Sequence, residues 1–312
     1  MTAAEPAASL TITDLRGSPA RRRRELIIRS AFFLAAATAV LISALIVFTL
    51  LGKALQFISQ VEFASLFSGS WRPRANDFDL LSLIAGTMVI AGIAMAVAAP
   101  LGLGSAVFLA EYASPRVRRM VKPVLELLAA IPSVVLGFFA LTVLSPAVID
   151  PFCPGPTPIF NMAAAGVAVG ILVTPLVASI AEDAMYAVPA SLREASYGLG
   201  ARKRTTSLRI VFPAAVSGIV AALIVGFSRA IGETMVVALV AGGVGGAVFN
   251  LNPCLPGQTM TAAMTAQAVG SDQAAGGLAG ASLFFLGLLL FLMTLVLNVL
   301  SERFVRRIRS AY

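Results

Sequence analysis

The sequence predicts an all-α integral membrane protein with six transmembrane helices. Hydrophobic residues make up 58% of the 312-residue chain and charged residues only 12%, whereas roughly 25% of residues in soluble domains are charged. The apolar residues form continuous runs long enough to cross a bilayer as helices, about 20 residues each, and they do not alternate as in a transmembrane strand. The predicted spans are 29–52, 81–110, 121–146, 160–181, 213–241 and 281–303.

The distribution of cations predicts the orientation of these spans. Of the 23 Lys and Arg residues, 19 lie in the two tails and in the loops that follow the second and fourth spans. The positive-inside rule therefore places both termini and these two loops in the cytoplasm. The Arg21–Arg24 run could also bind nucleic acid or anionic lipid, but orientation of the first span explains it better. The net charge of +8 therefore requires no nucleic-acid partner.

Composition divides the chain into four segments. We expect a disordered, basic cytoplasmic tail over 1–28, and a first transmembrane helix with an outer interfacial segment over 29–79. The transmembrane core follows over 80–305, and a second basic cytoplasmic tail covers 306–312.

The loop over residues 182–213 carries a spaced polar pattern. Ser191 and Glu194 have the spacing of a capping box, in which each side chain bonds to a backbone amide at the start of a helix. Gly198 and Gly200 offer left-handed endings, so the pattern predicts a surface helix of about two turns. A helix this short is marginal alone and needs a binding partner. The pattern comprises Glu194, Ala195, Ser196, Gly200, Ile210 and Pro213.

Arg229 and Glu233 place opposite charges inside the fifth predicted span. Residues four apart share a helix face, so the two side chains can pair. Arg229 lies about 24 Å along the helix from Pro213, in the outer half of the bilayer. Charges inside a span are costly, about 3 kcal/mol each, and are usually functional. We interpret the pair as part of an anion pathway, with a structural ion pair between helices as the alternative.

Cys153 and Cys254, the two cysteines of the chain, both lie in loops predicted to face the outside. An oxidising compartment there permits a disulfide, but the sequence is equally compatible with two unpaired thiols.

No enzymatic site is predicted. The chain has no His, the commonest general base and zinc ligand, and none of its lysines lies in a P-loop pattern. We therefore expect no catalytic residue, no metal and no cofactor.

Four stretches together resemble the phosphate-specific permeases of ABC importers, more closely the PstC type. The 182–213 loop has the EAA-x3-G-x9-I-x-LP spacing of the ATPase-docking loop, with Ser196 in place of Ala and Phe212 in place of Leu. The other three stretches are Pro100–Ala113, Glu126–Val135 and Arg229–Met235.

The resemblance implies a type I ABC importer permease in the bacterial inner membrane that translocates inorganic phosphate. It implies that Arg229 and Glu233 handle phosphate and that the Glu194–Gly200 helix couples to the ATPase. The implied partners are a PstA-like sister permease as a heterodimer, two ATP-hydrolysing PstB-like subunits, an external PstS-like phosphate-binding protein and membrane lipid. Sulfate, molybdate or phosphonate remains an alternative substrate. A stand-alone secondary transporter fits less well, because it needs no docking helix, and an intramembrane enzyme lacks a catalytic constellation.

Overall fold

The structure, a computed structural model, describes residues 19–155, 157–242, 247–269 and 276–309. Over these residues the chain is mainly helical, which confirms the predicted fold class. The helices are α1 Pro19–Gln60, α2 Leu80–Val107, α3 Pro115–Ala129, α4 Ser133–Phe139, α5 Met162–Tyr186, α6 Ala190–Gly198, α7 Lys203–Thr206, α8 Phe212–Ala214, α9 Val216–Ile231, α10 Met235–Val240, α11 Met260–Val269 and α12 Gly277–Arg309. Wider π-helical turns extend three of them, at Phe108–Tyr112 after α2, Ala140–Ile149 after α4 and Ser207–Val211 after α7.

Among the described residues, five continuous helical stretches are long and apolar enough to cross a membrane. A sixth crossing is formed if Lys203–Ala214 and Val216–Ile231 are taken as one span bent by 71°. The sidedness of the two termini stays a prediction. The five stretches are Arg23–Gln60, Leu80–Tyr112, Ser133–Phe152, Met162–Tyr186 and Gly277–Arg303.

The first helix starts earlier than the sequence predicts. α1 begins at Pro19, so residues 19–28, predicted to be disordered, are helical and that part of the prediction is wrong. Residues 1–18 lie outside the described part of the chain. Every side chain from Arg23 to Ile46 is exposed, including Phe32 and Phe33. Phe48, further along the helix, is exposed as well. A helix that is apolar around its circumference is suited to lipid contact.

The chain divides into two compact units, Met1–Gly52 and Lys53–Tyr312. In the second unit the largest hydrophobic cluster forms where α2 packs along α5, with buried Ala91, Ala94 and Ala168 at the contact. Gly166 and Gly170 face α2 so closely that a Cβ at Gly170 would lie 2.8 Å from the Ala94 carbonyl oxygen. Small residues thus let the two helices approach, as in other membrane helix pairs.

The third predicted span, 121–146, is wrong over its first third. Residues 115–129 form the separate helix α3, and the chain breaks at Pro132 before the apolar helix that starts at Ser133. α3 starts after Ser114, whose side chain accepts from the Val117 amide at 3.4 Å. Charged residues along one side of α3 suit it to an interface with water, and proline at 132 lacks the amide hydrogen needed to continue it.

A small sheet lies in the predicted outer interfacial segment, where the sequence predicts no strands. β1 (Ser70–Arg72) pairs antiparallel with β2 (Asp77–Phe78) on one side and with β3 (Ala247–Val248) on the other. Trp71 and Phe78 are buried with Phe57 of α1, and the Trp71 and Phe78 ring centroids lie 5.8 Å apart. Strands of two or three residues carry too little alternation to be recognised from sequence.

The close contact between α2 and α5 yields a stability prediction. Gly170→Ala should destabilise the detergent-solubilised protein by about 1–3 kcal/mol, because the added methyl group overpacks a contact with backbone. Gly104→Ala is the matched control, since no atom lies within 4 Å of a Cβ there. Thermal denaturation of both variants measures the difference, and equal melting temperatures would contradict the packing described.

Candidate functional site

Arg229 and Glu233 lie at a break in the fifth span. α9 ends at Ile231 and α10 begins at Met235, and the segment between them is not helical. Arg229 Nη1 donates a hydrogen bond to Glu233 Oε2 at 2.8 Å. The Glu233 side chain is 4% exposed and that of Arg229 49%. The structure thus holds the two charges together, with the carboxylate buried and the guanidinium half open.

Backbone and threonine contacts hold Glu233 in place. Its Oε1 accepts from the Val236 amide at 3.5 Å, and its carbonyl oxygen accepts from Thr261 Oγ1 at 2.7 Å. Thr261 is buried and bonds in turn to Thr259 Oγ1 at 2.9 Å. The two threonines were missed as site residues, because they follow Glu233 by more than 25 residues and join it only in the fold.

The segment that carries these threonines is held against α2. The Met260 amide donates to Thr87 Oγ1 at 3.2 Å. A Cβ at Gly86 would clash with the Gln258 carbonyl oxygen, so glycine is required for this approach. The pair at 229 and 233 therefore rests on α2 through residues 258–261.

The geometry of the pair suits a reversible anion contact. Arg229 has five N–H donors, and Nη1 alone is engaged within the described residues. The other donors can form the planar fork that binds an oxyanion. The neighbouring carboxylate offsets part of the positive charge, so an anion bound there would be held less tightly than by an isolated arginine.

The short helix predicted in the 182–213 loop is present as α6, but its start differs from the prediction. Pro189 occupies the N-cap position, and its side chain makes no capping hydrogen bond. The predicted capping box between Ser191 and Glu194 is therefore wrong. Gly200 has φ +78° and forms the left-handed turn after the helix, as predicted, whereas Gly198 is the last residue of α6 itself. The Gly200 amide donates to the Tyr197 carbonyl at 2.9 Å.

The residues of the spaced pattern are not equally accessible. Glu194, Ala195, Gly200 and Pro213 are exposed, whereas Ile210 is half-buried. Ser196 is buried and its hydroxyl lies 2.8 Å from Thr206 Oγ1, which ties α6 to α7. The serine that departs from the pattern therefore makes a specific bond inside the loop. Leu199, beside Gly200, is 90% exposed and gives the turn an apolar tip.

Two buried carboxylates near this loop were not singled out from the sequence. Glu111, at the end of the helical extension of α2, binds Arg193 of α6 with an Nη2–Oε1 distance of 2.8 Å. Glu182 of α5 binds Arg118 of α3 with an Nε–Oε1 distance of 2.6 Å. These arginines were counted only as cytoplasmic flanking charges. The pairs join residues 82 and 64 positions apart, a separation that no local pattern reveals.

Lys122 of α3 completes the second of these clusters. Its Nζ lies 3.0 Å from Asp183 Oδ1 and 3.5 Å from Glu182 Oε2. The hydrogen bond that Lys122 donates to Asp183, together with the charge of Glu182, raises the pKa of Lys122, although partial burial opposes the shift. A raised lysine pKa means that these contacts stabilise the fold below the ordinary lysine pKa. That contribution is lost as the pH rises through the raised value.

Cys153 and Cys254 are joined by a disulfide in the structure, with their Cα atoms 5.9 Å apart. The residues beside Cys254 cap α5: the Ala163 amide donates to the Pro253 carbonyl at 2.8 Å, and the Met162 amide donates to the Leu255 carbonyl at 3.1 Å. The bridge therefore fixes a loop, predicted to face the outside, whose carbonyls bond to the start of α5.

No group of three or more potential metal ligands occurs among the described residues.

A family model described as binding-protein-dependent transport system inner membrane component matches residues 98–310. The chain belongs to this family. The match covers the 182–213 loop, the Arg229–Glu233 pair and the ion pairs of Glu111 and Glu182. The family description places the chain among multi-pass components of the inner membrane.

Comparisons with individual proteins support the same family. The chain is 34% identical over 272 residues to the phosphate transport system permease protein PstC of Xylella fastidiosa (strain 9a5c), covering 80% of this chain and 81% of that protein. It is 32% identical over 293 residues to PstC of Haemophilus influenzae, covering 86% and 91%. The fold is similar to that of a bacterial alginate ABC transporter, with a TM-score of 0.65 at 15% identity over 92% of this chain and 96% of that one.

The disulfide yields a prediction for the permease as isolated. Cleavage at the exposed Arg202–Arg204 run should leave one band on non-reducing electrophoresis and two fragments after reduction, because the bridge spans a separation of 101 residues. Cys254→Ser should release two fragments without reductant, and should lower stability by about 2–4 kcal/mol. Two fragments from the unaltered chain before reduction would contradict the pairing.

Proposed function

We propose that this chain is the PstC-like permease subunit of an importer that translocates inorganic phosphate across the bacterial inner membrane. ATP hydrolysis takes place on separate subunits. The observation that carries the proposal is the half-exposed Arg229 held 2.8 Å from buried Glu233 in a broken membrane helix. The relatives named as phosphate transport permeases support the choice of substrate.

The chemistry of the pair favours phosphate over sulfate and molybdate. Arg229 offers a planar set of donors to the anionic oxygens. Phosphate at neutral pH still carries an O–H group, which a carboxylate such as Glu233 can accept. Sulfate and molybdate have no such proton, so the same carboxylate would only repel them. A site that combines one cation with one acceptor therefore discriminates by hydrogen bonding as well as by charge.

Transport requires the site to be accessible from each side in turn. The break at Gly232–Thr234 and the 71° bend near Ala215 divide the fifth span into segments that can change their relative angles. In this proposal the ATPase subunits bind the loop differently in their two nucleotide states and thereby shift the population of inward- and outward-facing forms.

The exposed surface of the 182–213 loop supports an ATPase as a partner of this chain. The exposed Glu194, Ala195 and Gly200 and the tip at Leu199 form the surface for a PstB-like ATPase. We propose that a PstA-like sister permease supplies the opposite wall of the pathway, and that a PstS-like binding protein delivers phosphate to the outer loops.

The pathway assignment is tested by phosphate uptake in cells that depend on this importer. Arg229→Gln should reduce the initial rate at least about ten-fold, because each charge-assisted hydrogen bond contributes about 1.5–3 kcal/mol. Arg116→Gln removes the same charge from an exposed position on α3 and should leave uptake unchanged. Uptake by Arg229→Gln at the unaltered rate would remove this residue from the pathway. Competition by sulfate as strong as that by phosphate would favour another oxyanion.

The docking assignment is tested by co-purification of the ATPase subunit. Glu194→Lys should reduce the amount recovered, because it reverses the charge on the exposed face of α6. Gly200→Trp should do the same, because φ +78° strains any residue other than glycine. We expect a loss of at least about five-fold for each, the lower end of ordinary coupling energies. Glu62→Lys makes the same charge change on the predicted outer side and is the control. Unaltered recovery for both loop variants would contradict the docking role.

A further inference from the structure

We infer that Glu111 and Arg193 are positioning residues that transmit movement of the docking helix α6 into the membrane core. We call this pair, with its backbone contacts, the 111–193 clamp. The inference rests on the proposed docking function of the loop and adds to it the route by which a displacement of α6 reaches α2 and α5.

Arg193 makes four hydrogen bonds, all to residues outside α6. Its Nε and Nη2 donate to Glu111 Oε1 at 3.1 and 2.8 Å. Its Nη1 donates to the Val188 carbonyl at 2.6 Å, and Nη2 also donates to the Met185 carbonyl at 2.8 Å. One guanidinium therefore joins α6 to the end of α2 and to the end of α5.

The position of Arg193 in α6 shows which helix benefits from its charge. Arg193 is the fourth residue of α6, near the positive end of the helix dipole, where a cation is unfavourable. The Met185 carbonyl that it binds lies in the last turn of α5 and the Val188 carbonyl lies just beyond that helix, at the end where a cation is favourable. The arginine is therefore placed to bind α5 and Glu111 rather than to stabilise α6.

Glu111 extends the clamp to a further segment. Its side chain is 4% exposed, so its charge depends on the partners around it. Oε1 accepts from Arg193, and Oε2 accepts from Ser207 Oγ at 3.4 Å. Ser207 begins the helical extension that leads into the bent fifth span. One carboxylate thus contacts the docking helix itself and the segment that leads from it into the fifth span.

The two faces of α6 consequently have different roles. Glu194 and Ala195 are exposed and available to a partner, whereas Arg193 points inward and is 19% exposed. A partner that pulls on the exposed face moves α5 and α2 with it as long as the clamp holds. The close glycine contacts between α2 and α5 carry this movement as one rigid body.

The assembled importer in lipid nanodiscs provides the test, with three measurements on each variant. They are the amount of ATPase bound, the basal ATP hydrolysis rate, and the ratio by which phosphate-loaded binding protein stimulates that rate. The variants are Arg193→Gln and Glu111→Gln. Arg193→Lys keeps the charge but cannot make four directed bonds at once, and Arg116→Gln is the control for loss of one exposed positive charge.

We expect both glutamine variants to bind the ATPase normally and to retain basal hydrolysis. The stimulation ratio should fall about ten-fold, within the usual range of coupling between sites. The stimulation ratio of Arg193→Lys should lie between that of the glutamine variants and that of the unaltered protein. The ratio of Arg116→Gln should equal that of the unaltered protein. Melting temperatures establish that each variant is folded.

Two results would overturn the inference. A stimulation ratio that stays unchanged in folded Arg193→Gln shows that the movement takes another route. Loss of bound ATPase, or failure to assemble in Arg193→Lys as well as Arg193→Gln, assigns the residue to folding or docking instead of transmission. If the unaltered chain itself binds no ATPase, the docking function fails, and that outcome is distinct from either of these.

Discussion

A carboxylate taken out of water requires a cation held against it, and three such pairs organise this permease. Glu111, Glu182 and Glu233 are each no more than 4% exposed, and each is bonded to an arginine. Removing one partner of a buried pair typically costs 3–5 kcal/mol, so each pair fixes the helices that carry it. Two of the pairs lie at the predicted cytoplasmic ends of the helices and the third lies in the broken fifth span. The same interaction thus orders the docking loop at one end and the proposed phosphate contact at the other.

The structure between these pairs is built for close helix contact. Glycine and alanine bring α2 and α5 together along their length, and the 258–261 segment rests on α2 through Gly86 and Thr87. Glu233 is bonded to that segment through Thr261. A chain of packed residues therefore connects α6, through Arg193 and α5, to α2 and then to the Arg229–Glu233 pair. In our proposal this connection links the energy of ATP hydrolysis to access at the anion site.

Much of this arrangement could be predicted from local sequence. Apolar runs located the membrane helices, and the i, i+4 spacing of Arg229 and Glu233 indicated an ion pair, because both are properties of a few consecutive turns. The left-handed turn at Gly200 followed from glycine at that position. The third span was misplaced because the apolar residues of α3 were counted together with those that follow Pro132. The charged face of α3 and the break at Pro132 were therefore overlooked. The capping box failed because Pro189 occupies the N-cap position, which places Ser191 inside the helix, while Arg193 of the same helix pairs with Glu111. That pair, the Arg118–Glu182 pair and the pairing of β1 with β3 all depend on residues distant in the chain, which no spacing rule could bring together.

In our proposal this chain moves phosphate only as part of an ATP-driven assembly. The most direct measurement is phosphate uptake into proteoliposomes that contain the chain alone, or the chain with its sister permease and ATPase, with binding protein outside in both cases. We expect phosphate to accumulate in the complete system when ATP is enclosed and not when a non-hydrolysable analogue replaces ATP. We also expect no uptake by the chain alone. Phosphate accumulation by the isolated chain, driven by an ion gradient without nucleotide, would contradict the proposal.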